Sequence, residues 1–383
     1  MSGCFGGRLS RSLSTPARSA SAGALDNGFH SASGAAEATR HPALDALQSG
    51  RLAISFSGGG FLLPYFIGVA EVLQQLGVLR PGGATPVAGS SAGSLIASSL
   101  ACGLTPDEMY DSFVDSVRDC RANGSYRRLL DVVSRQLRDT LPSDAAQRCS
   151  GVATVCVTRL FPHPHPKRVS SFTSRDDLIS ALLASCHIPR YFNGELTTQF
   201  RGRTAIDGGM TALIPAPAGH HDFVLKVSCF PRAHVARLPV FNRRHAMQHL
   251  SLGIAPDAFR TWPYSFKDMM AAALHPHTDD FIVQLREAGR SDALRWAQSA
   301  GLAPPELGLQ IHLPPVPPPG AGVAKPATAA EATSAAAAQE AALAIADVAE
   351  AAPGPAVAAA AEAVRQVQQE VAAQAAREGK TAE

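Results

Sequence analysis

The chain has 383 residues, of which 46% are hydrophobic and 17% are charged, so it can bury a core and is not disordered throughout. Its formal net charge of +2 lacks the strong positive field expected of a protein that binds nucleic acid. Seven cysteines without a CxxC pair argue against a disulfide framework or a zinc site. The longest apolar stretch, residues 61–73, is too short to span a membrane.

Two kinds of low-complexity sequence flank the middle of the chain. Residues 1–45 begin Ser- and Arg-rich and acid-poor, which is typical of a chloroplast or mitochondrial transit peptide and equally of a disordered tail. Residues 304–327 are Pro-rich and are predicted to be a linker. Residues 328–383 include 25 alanines, which predicts a tail that is partly helical or disordered. One folded domain is therefore predicted over residues 50–303.

Short β-like runs alternate with helical runs inside that domain. In chain order we predict a strand at 52–56, a helix at 62–76, a strand at 87–88, a helix at 94–104, a helix capped by Thr105, a strand at 152–160, a helix capped by Ser174, and strands at 204–206 and 223–229. This alternation predicts a three-layer α/β/α fold with a mostly parallel central sheet.

A glycine-rich turn follows the first predicted strand. Gly58, Gly59 and Gly60 would let backbone N–H groups converge on an anion, as an oxyanion hole requires. A dinucleotide fingerprint fails because Leu63 stands where its last glycine belongs. A plain structural turn stays open as the alternative.

The second predicted strand leads into Gly89-Ser90-Ser91-Ala92-Gly93, which fits the G-x-S-x-G nucleophile elbow. In this turn the central serine is exposed for attack, and the two flanking glycines are needed because the backbone is strained and crowded. Ser91 occupies the central position and is the candidate nucleophile.

A third turn, Asp207-Gly208-Gly209, follows a later predicted strand. Asp207 could take the proton of the Ser91 hydroxyl, and the glycines would allow close backbone approach. An ordinary Asp-Gly turn is the alternative for this motif alone. The three turns in this order, each after a predicted strand, are unlikely to occur together by chance.

On these motifs, residues 54–231 resemble the patatin-like phospholipases, and more narrowly the branch of adipose triglyceride lipase and adiponutrin. Further segments typical of the branch are Leu141–Asp144, Cys149–Gly151, Phe172–Asp176 and Ala184–Pro189. Two positions depart from the pattern: Leu63 replaces a glycine, and Ala212-Leu213 replaces the Asp-Asn that often follows the third motif.

The resemblance implies a patatin-like lipid acyl hydrolase, of triacylglycerol lipase or phospholipase type, that uses a Ser91-Asp207 dyad and no metal or organic cofactor. It implies an oxyanion hole at Gly58, Gly59 and Gly60, with acylglycerols or glycerophospholipids as substrate. An intracellular, peripheral location at a lipid droplet or membrane follows from it. A chloroplast or mitochondrial location would follow instead from the N-terminal composition.

Several alternatives stay open. A Ser-His-Asp triad would need a histidine beside Ser91, and nothing in the sequence brings His187, His220, His221 or His234 there. The same acyl-enzyme could transfer its acyl group to a lipid alcohol, which would make the protein an acyltransferase or transacylase. A non-catalytic adaptor that retains the fold is the third reading. Residues 161–166 alternate proline with other residues, which favours a hairpin loop over a metal site.

Overall fold

The computed structural model describes residues 40–80, 82, 85–235 and 250–307. The strands are β1 (Leu52–Phe56), β2 (Val87–Ser90), β3 (Ala153–Arg159), β4 (His165–Val169), β5 (Thr198–Phe200), β6 (Arg203–Ile206) and β7 (Phe223–Val227). The α-helices are α1 (Pro42–Gln48), α2 (Leu63–Gln75), α3 (Ala92–Ala101), α4 (Pro106–Asn123), α5 (Leu129–Thr140), α6 (Ala145–Cys149), α7 (Arg175–Ser185), α8 (Arg232–Val235), α9 (Phe266–Leu274) and α10 (Asp279–Ser299). Short 3₁₀ turns lie at Gly60–Leu62 and Gly208–Met210.

The seven strands form one sheet flanked by helices, so the predicted α/β/α fold is confirmed. Strands β7, β1, β2 and β3 are adjacent and parallel, while β4 and β6 pair antiparallel with β3, and β5 pairs antiparallel with β6. All five residues of β1 and all four of β2 are buried, as expected of strands covered on both faces. The sheet is therefore parallel at its centre and antiparallel at one end.

Strands β2 and β6 approach each other along the same edge of β3. On β3, Cys156 pairs with Ser90 of β2, and Thr158 pairs with Ile206 of β6. Strand β4 pairs with both of these β3 residues from the opposite edge. Because β2 runs parallel to β3 and β6 runs antiparallel, their carboxyl ends point toward each other. The residues that follow them, Ser91 and Asp207, therefore lie near Val157.

Most predicted elements match the structure closely. Strand β1 has the predicted bounds, and Thr105 caps α4 through a capping box with Glu108. The helix predicted at 94–104 begins earlier, at Ala92, because the chain enters it directly from the turn at Ser91. It ends at Ala101, where Gly103 adopts a left-handed φ of 83° shortly after the last helical turn.

The described fold begins before residue 50. Helix α1 starts at Pro42, inside the segment predicted as an N-terminal tail, and its capping residue His41 packs its ring edge-on against Phe223 and Trp296. The rest of that tail, residues 1–39, lies outside the described residues, as do residues 308–327 of the linker and the whole Ala-rich tail. No described helix is long and apolar enough to cross a bilayer.

Helices α2 and α10 pack at close range beside the sheet. A Cβ at Gly68 would collide with the carbonyl of Arg286, and a Cβ at Gly289 would collide with that of Tyr65. A buried polar group links the two helices, since the Tyr65 hydroxyl donates to Asp292 Oδ2 at 2.9 Å. Arg260 pairs with the same oxygen at 3.0 Å. This packing fixes α2, which begins directly after the glycine-rich turn.

Candidate active site

Ser91 sits on a strained turn between β2 and α3. Its φ of 50° and ψ of −130° are rare for a residue with a Cβ, a conformation that costs about 1–3 kcal/mol and clusters at functional sites. A Cβ at Gly89 would collide with the backbone of Gly93, and a Cβ at Gly93 would collide with the backbone at Ser57. Both elbow glycines therefore allow β2, α3 and the glycine-rich turn to meet.

Asp207 is a buried carboxylate, 6% exposed, at the end of β6. The amide of Gly209 donates to its Oδ1 at 2.7 Å, and the backbone N–H of Asp207 donates to the carbonyl of His187 at 2.8 Å. Its Oδ2 is buried and accepts no hydrogen bond from the described residues. Gly208 has no room for a side chain because a Cβ there would collide with the carbonyl of Cys156.

The electrostatics of Asp207 favour a proton acceptor. Burial raises the pKa of Asp207 to about 6, while the Ser91 hydroxyl and the Gly209 amide oppose this shift. The Ser91 hydroxyl lies close enough to Asp207 to lower the pKa of its carboxyl. The carboxylate oxygen Oδ2 nevertheless has no hydrogen-bond partner among the described residues. The two groups are therefore adjacent without a well-formed hydrogen bond between them.

No histidine within the described ranges accounts for the raised pKa of Asp207. Besides burial, the groups that act on the pKa of Asp207 are Ser91 and Gly209. The His187 ring lies with Nε2 at 3.2 Å from the carbonyl of Glu195, and the His221 ring lies with Nε2 at 2.8 Å from that of Ala218. His220 is exposed, and its ring is 4.0 Å from Asp222. His234 lies in α8, and its ring packs edge-on against Phe266.

The glycine-rich turn does not offer all three predicted donors. The N–H of Gly58 donates to the carbonyl of Leu213 at 3.0 Å, so in this conformation it is engaged and cannot bind an oxyanion. This corrects the expectation that Gly58 would act with the other two glycines. The amides of Gly59 and Gly60 donate to no acceptor among the described backbone or side-chain groups. Gly60 has a left-handed φ of 52°, and a Cβ on it would collide with the carbonyl of Ala273 in α9.

Ser185 connects the elbow to the sheet, a role that no sequence motif predicts. Its hydroxyl accepts from the Ser91 N–H at 2.9 Å and donates to the carbonyl of Cys156 at 2.6 Å. Burial and the charge of Asp207 raise the pKa of the Cys186 thiol, while the hydroxyls of Ser91 and Ser94 beside it oppose this shift. The only sequence signal was the segment Ala184–Pro189, which looked typical of the family without indicating a function.

Leu213, one of the two departures, lies over the site. Its carbonyl also accepts from the Ser90 hydroxyl at 2.7 Å, so it holds the elbow and the glycine-rich turn together. Its side chain is 3.4 Å from the point where a Cβ of Gly58 would stand. Leu213 therefore presents an apolar group where the family pattern often has a polar one.

A metal site finds no support in the described ranges, where no group of three His, Cys, Asp or Glu side chains is arranged to hold an ion. The site thus consists of Ser91, Asp207 and backbone amides. It can supply a nucleophile, a proton acceptor and donors for a developing negative charge.

Comparison with known proteins indicates the family that this part of the chain resembles. Residues 54–219 match the family model of the patatin-like phospholipases. Human omega-hydroxyceramide transacylase is 34% identical over 167 residues, which are 42% of this chain and 31% of that protein. Human patatin-like phospholipase domain-containing protein 2 is 31% identical over 168 residues, 42% of this chain and 33% of the relative.

A longer match is mouse 1-acylglycerol-3-phosphate O-acyltransferase Pnpla3, 27% identical over 280 residues, 69% of this chain and 63% of the relative. The chain thus spans less than two thirds of the length of these relatives. The resemblance inferred from the sequence motifs is confirmed at the level of the family and of its adiponutrin and adipose triglyceride lipase members. Over residues 54–219 the chain is therefore similar to the patatin-like phospholipases.

Proposed function

We propose that this domain hydrolyses acyl esters of lipids through a dyad of Ser91 and Asp207. The observation that carries the proposal is a buried carboxylate with a free Oδ2 next to a serine held in a strained elbow. A base works best when its pKa lies near the working pH, and a pKa of about 6 meets this condition for Asp207.

The steps follow from these positions. Asp207 takes the proton of the Ser91 hydroxyl while Oγ attacks the ester carbonyl and forms a tetrahedral oxyanion. The proton then passes to the leaving alcohol as the carbon–oxygen bond breaks. Asp207 next removes a proton from water, which attacks the acyl-enzyme, and the proton returns to Ser91 as the fatty acid departs.

The orientation of the peptide between Gly58 and Gly59 sets one of the proposed oxyanion donors, the N–H of Gly59. The carbonyl of Gly58 accepts from the Ser57 hydroxyl at 2.8 Å and from the Cys229 thiol at 3.6 Å, both fully buried. In a trans peptide the C=O and the next N–H point in opposite directions. Because the carbonyl of Gly58 is held in the core, the N–H of Gly59 points away from the core. Ser57 and Cys229 thus act as positioning residues.

The lipid class is a further part of the proposal. We infer acylglycerols or glycerophospholipids as substrates, bound at the surface of a lipid droplet or membrane inside the cell. The family assignment supports a lipid ester, and the apolar side chain of Leu213 beside the dyad is compatible with an acyl chain. Triolein and phosphatidylcholine, each presented to the full chain, separate the lipase from the phospholipase.

Acyl transfer is the second candidate function. Two similar proteins are described as a transacylase and an acyltransferase, and both reactions can pass through the same acyl-enzyme. Product analysis with added monoacylglycerol or lysolipid distinguishes them, because transfer yields a new acylated lipid where hydrolysis yields free fatty acid. A non-catalytic adaptor would produce neither.

Replacing the nucleophile should abolish activity. We expect Ser91→Ala to lower ester turnover by on the order of 10⁴-fold or more, and to eliminate labelling by a fluorophosphonate. Asp207→Asn should lower turnover by roughly 10²–10⁴-fold because the base is lost. Ser99→Ala, on the same helix as the elbow, is the matched control and should keep wild-type rates. Wild-type turnover in either dyad variant refutes the dyad, and an unlabelled wild-type protein favours the adaptor.

The buried base should reduce the stability of the fold at neutral pH. Since the folded-state pKa of Asp207 is raised to about 6, stability declines as pH rises from about 4 through 6. Asp207→Asn should therefore raise the free energy of unfolding at pH 7 by about 2–3 kcal/mol, with the difference vanishing near pH 4. Urea denaturation at both pH values measures this.

Asp177→Asn is a control in which the expected change in the free energy of unfolding has the opposite sign. The hydrogen bonds of Asp177 with Arg201, at 2.6 and 2.9 Å, lower the pKa of Asp177, so its charge supports the fold above the unfolded pKa. This variant should be less stable than wild type at pH 7. An Asp207→Asn protein that is also less stable at pH 7 would contradict the account of a buried, disfavoured charge.

The peptide orientation can be tested without touching the dyad. Cys229→Ala and Ser57→Ala should each lower kcat about tenfold with KM nearly unchanged. The double variant should approach the roughly 10²-fold loss typical of one lost oxyanion donor. Rates are normalised to active sites titrated with fluorophosphonate, and Cys120→Ala, which removes a thiol buried in α4, serves as control. A loss that appears in KM, or equally in Cys120→Ala, would contradict the positioning role.

A further inference from the structure

We propose that the hairpin between β3 and β4, residues 159–167, docks the domain on an anionic phospholipid surface. This deepens the proposed function by naming the surface contact that would present a lipid to Ser91. It stands on an exposed aromatic side chain and a group of unpaired cations, neither of which takes part in the site described above.

The hairpin lies at the same edge of the sheet as the candidate active site. Strands β1, β2 and β3 are parallel, so the connections that follow them leave from one edge. Those connections are the glycine-rich turn, the Ser91 elbow and the hairpin tip, residues 160–164. Leu160 is 7% exposed and packs with Ile206, next to Asp207, in a small cluster that also contacts Leu196 and Met210. The base of the hairpin is thus anchored beside the dyad.

The tip carries an aromatic side chain in solvent. Phe161 is 73% exposed, the highest value among the exposed large hydrophobic side chains of the described ranges, against 47% for Val283 and 45% for Leu252. Its neighbour Leu160 is buried, so the hairpin core is complete without Phe161. Nothing in the described fold explains its exposure, whereas an aromatic ring with polar surroundings suits the boundary between lipid headgroups and acyl chains.

Unpaired cations lie on the strands at the base of the hairpin. Between Asp144 and Asp176 the sequence has five arginine or lysine residues and no acidic residue, and of these five Arg148 is paired with Asp144. On β3 and β4, Arg159 pairs with His165, and Lys167 lies two residues further along the same face. On the other side of β3, Arg159 pairs with Ala205, which shares that face with Arg203.

Arg159, Lys167 and Arg203 therefore project from one face of the antiparallel end of the sheet. No carboxylate of the described segments pairs with any of the three, and the Nε of Arg159 is buried without a hydrogen-bond partner. Other arginines nearby are neutralised, such as Arg138 by Asp176 and Arg201 by Asp177. This face thus keeps its positive charge available for an outside anion.

The combination of groups favours a membrane over other polyanions. Lipid phosphates attract lysine and arginine near the surface, and an apolar tip gains further by entering the headgroup region. A duplex nucleic acid offers phosphates but no apolar phase for Phe161, and the net charge of +2 is weak for such a partner. The location beside the dyad is also useful only if the anionic surface contains the substrate.

Vesicle binding by the full chain tests this docking surface. The Ser91→Ala protein is mixed with vesicles of phosphatidylcholine alone or with 30% phosphatidylglycerol (roughly one anionic lipid in three), and the bound fraction is measured by sedimentation. We expect binding to the anionic vesicles that weakens with added salt. Phe161→Ser should weaken it about tenfold, and Lys167→Gln and Arg203→Gln about fivefold each, while Phe161→Trp should retain it.

Matched controls lie on other surfaces. Val283→Ser on α10 removes an exposed apolar side chain, and Arg118→Gln on α4 removes an exposed cation; both should bind as the parent does. Unchanged melting temperatures verify that the variants fold. Equal affinity of parent and hairpin variants, or absence of vesicle binding, would overturn the inference. Because the assay uses a protein without its nucleophile, its outcome is independent of whether the Ser-Asp dyad is correct.

Discussion

The candidate site depends on one edge of β3, where the carboxyl ends of strands β2 and β6 meet. Strand β2 runs parallel to β3 as far as Cys156, and β6 runs antiparallel to it as far as Thr158. Both strands must turn away from β3 at Val157, and they do so at Ser91 and Asp207. This pairing brings the candidate nucleophile and the carboxylate close to each other, and the Ser185 hydroxyl adds a link between the Ser91 N–H and the carbonyl of Cys156.

Burial at this junction gives Asp207 its chemistry, although burial alone does not mark a catalytic acid. Asp292 also has its pKa raised to about 6 by burial. It is bound by Tyr65 and Arg260 between packed elements, far along the chain from the three motifs. Each of the two carboxylates has one buried oxygen without a hydrogen-bond partner among the described residues, and Asp207 differs because a strained serine stands next to it. A perturbed carboxylate becomes a candidate base when a reactive partner is within reach.

Local rules explain what the sequence could predict. Strand β1, the Thr105 cap and the three glycine motifs were accessible because short apolar runs, capping residues and crowded turns leave signatures in neighbouring residues. The contacts that complete the site join residues far apart in the chain: Ser185 with Ser91, Cys229 with Gly58, and Leu213 with both Gly58 and Ser90. No periodicity or spacing encodes them. For the same reason Gly58 looked like an oxyanion donor until Leu213 was seen to accept its N–H.

We propose that a buried aspartate, and none of the histidines in the described ranges, activates Ser91. The most direct measurement is the pH dependence of the second-order rate at which a fluorophosphonate modifies the wild-type protein. The account predicts a rate that rises through a single ionisation near pH 6 and then levels off, with that ionisation absent in Asp207→Asn. A rate independent of pH, or an ionisation that persists in Asp207→Asn and disappears when a histidine is replaced, would contradict it.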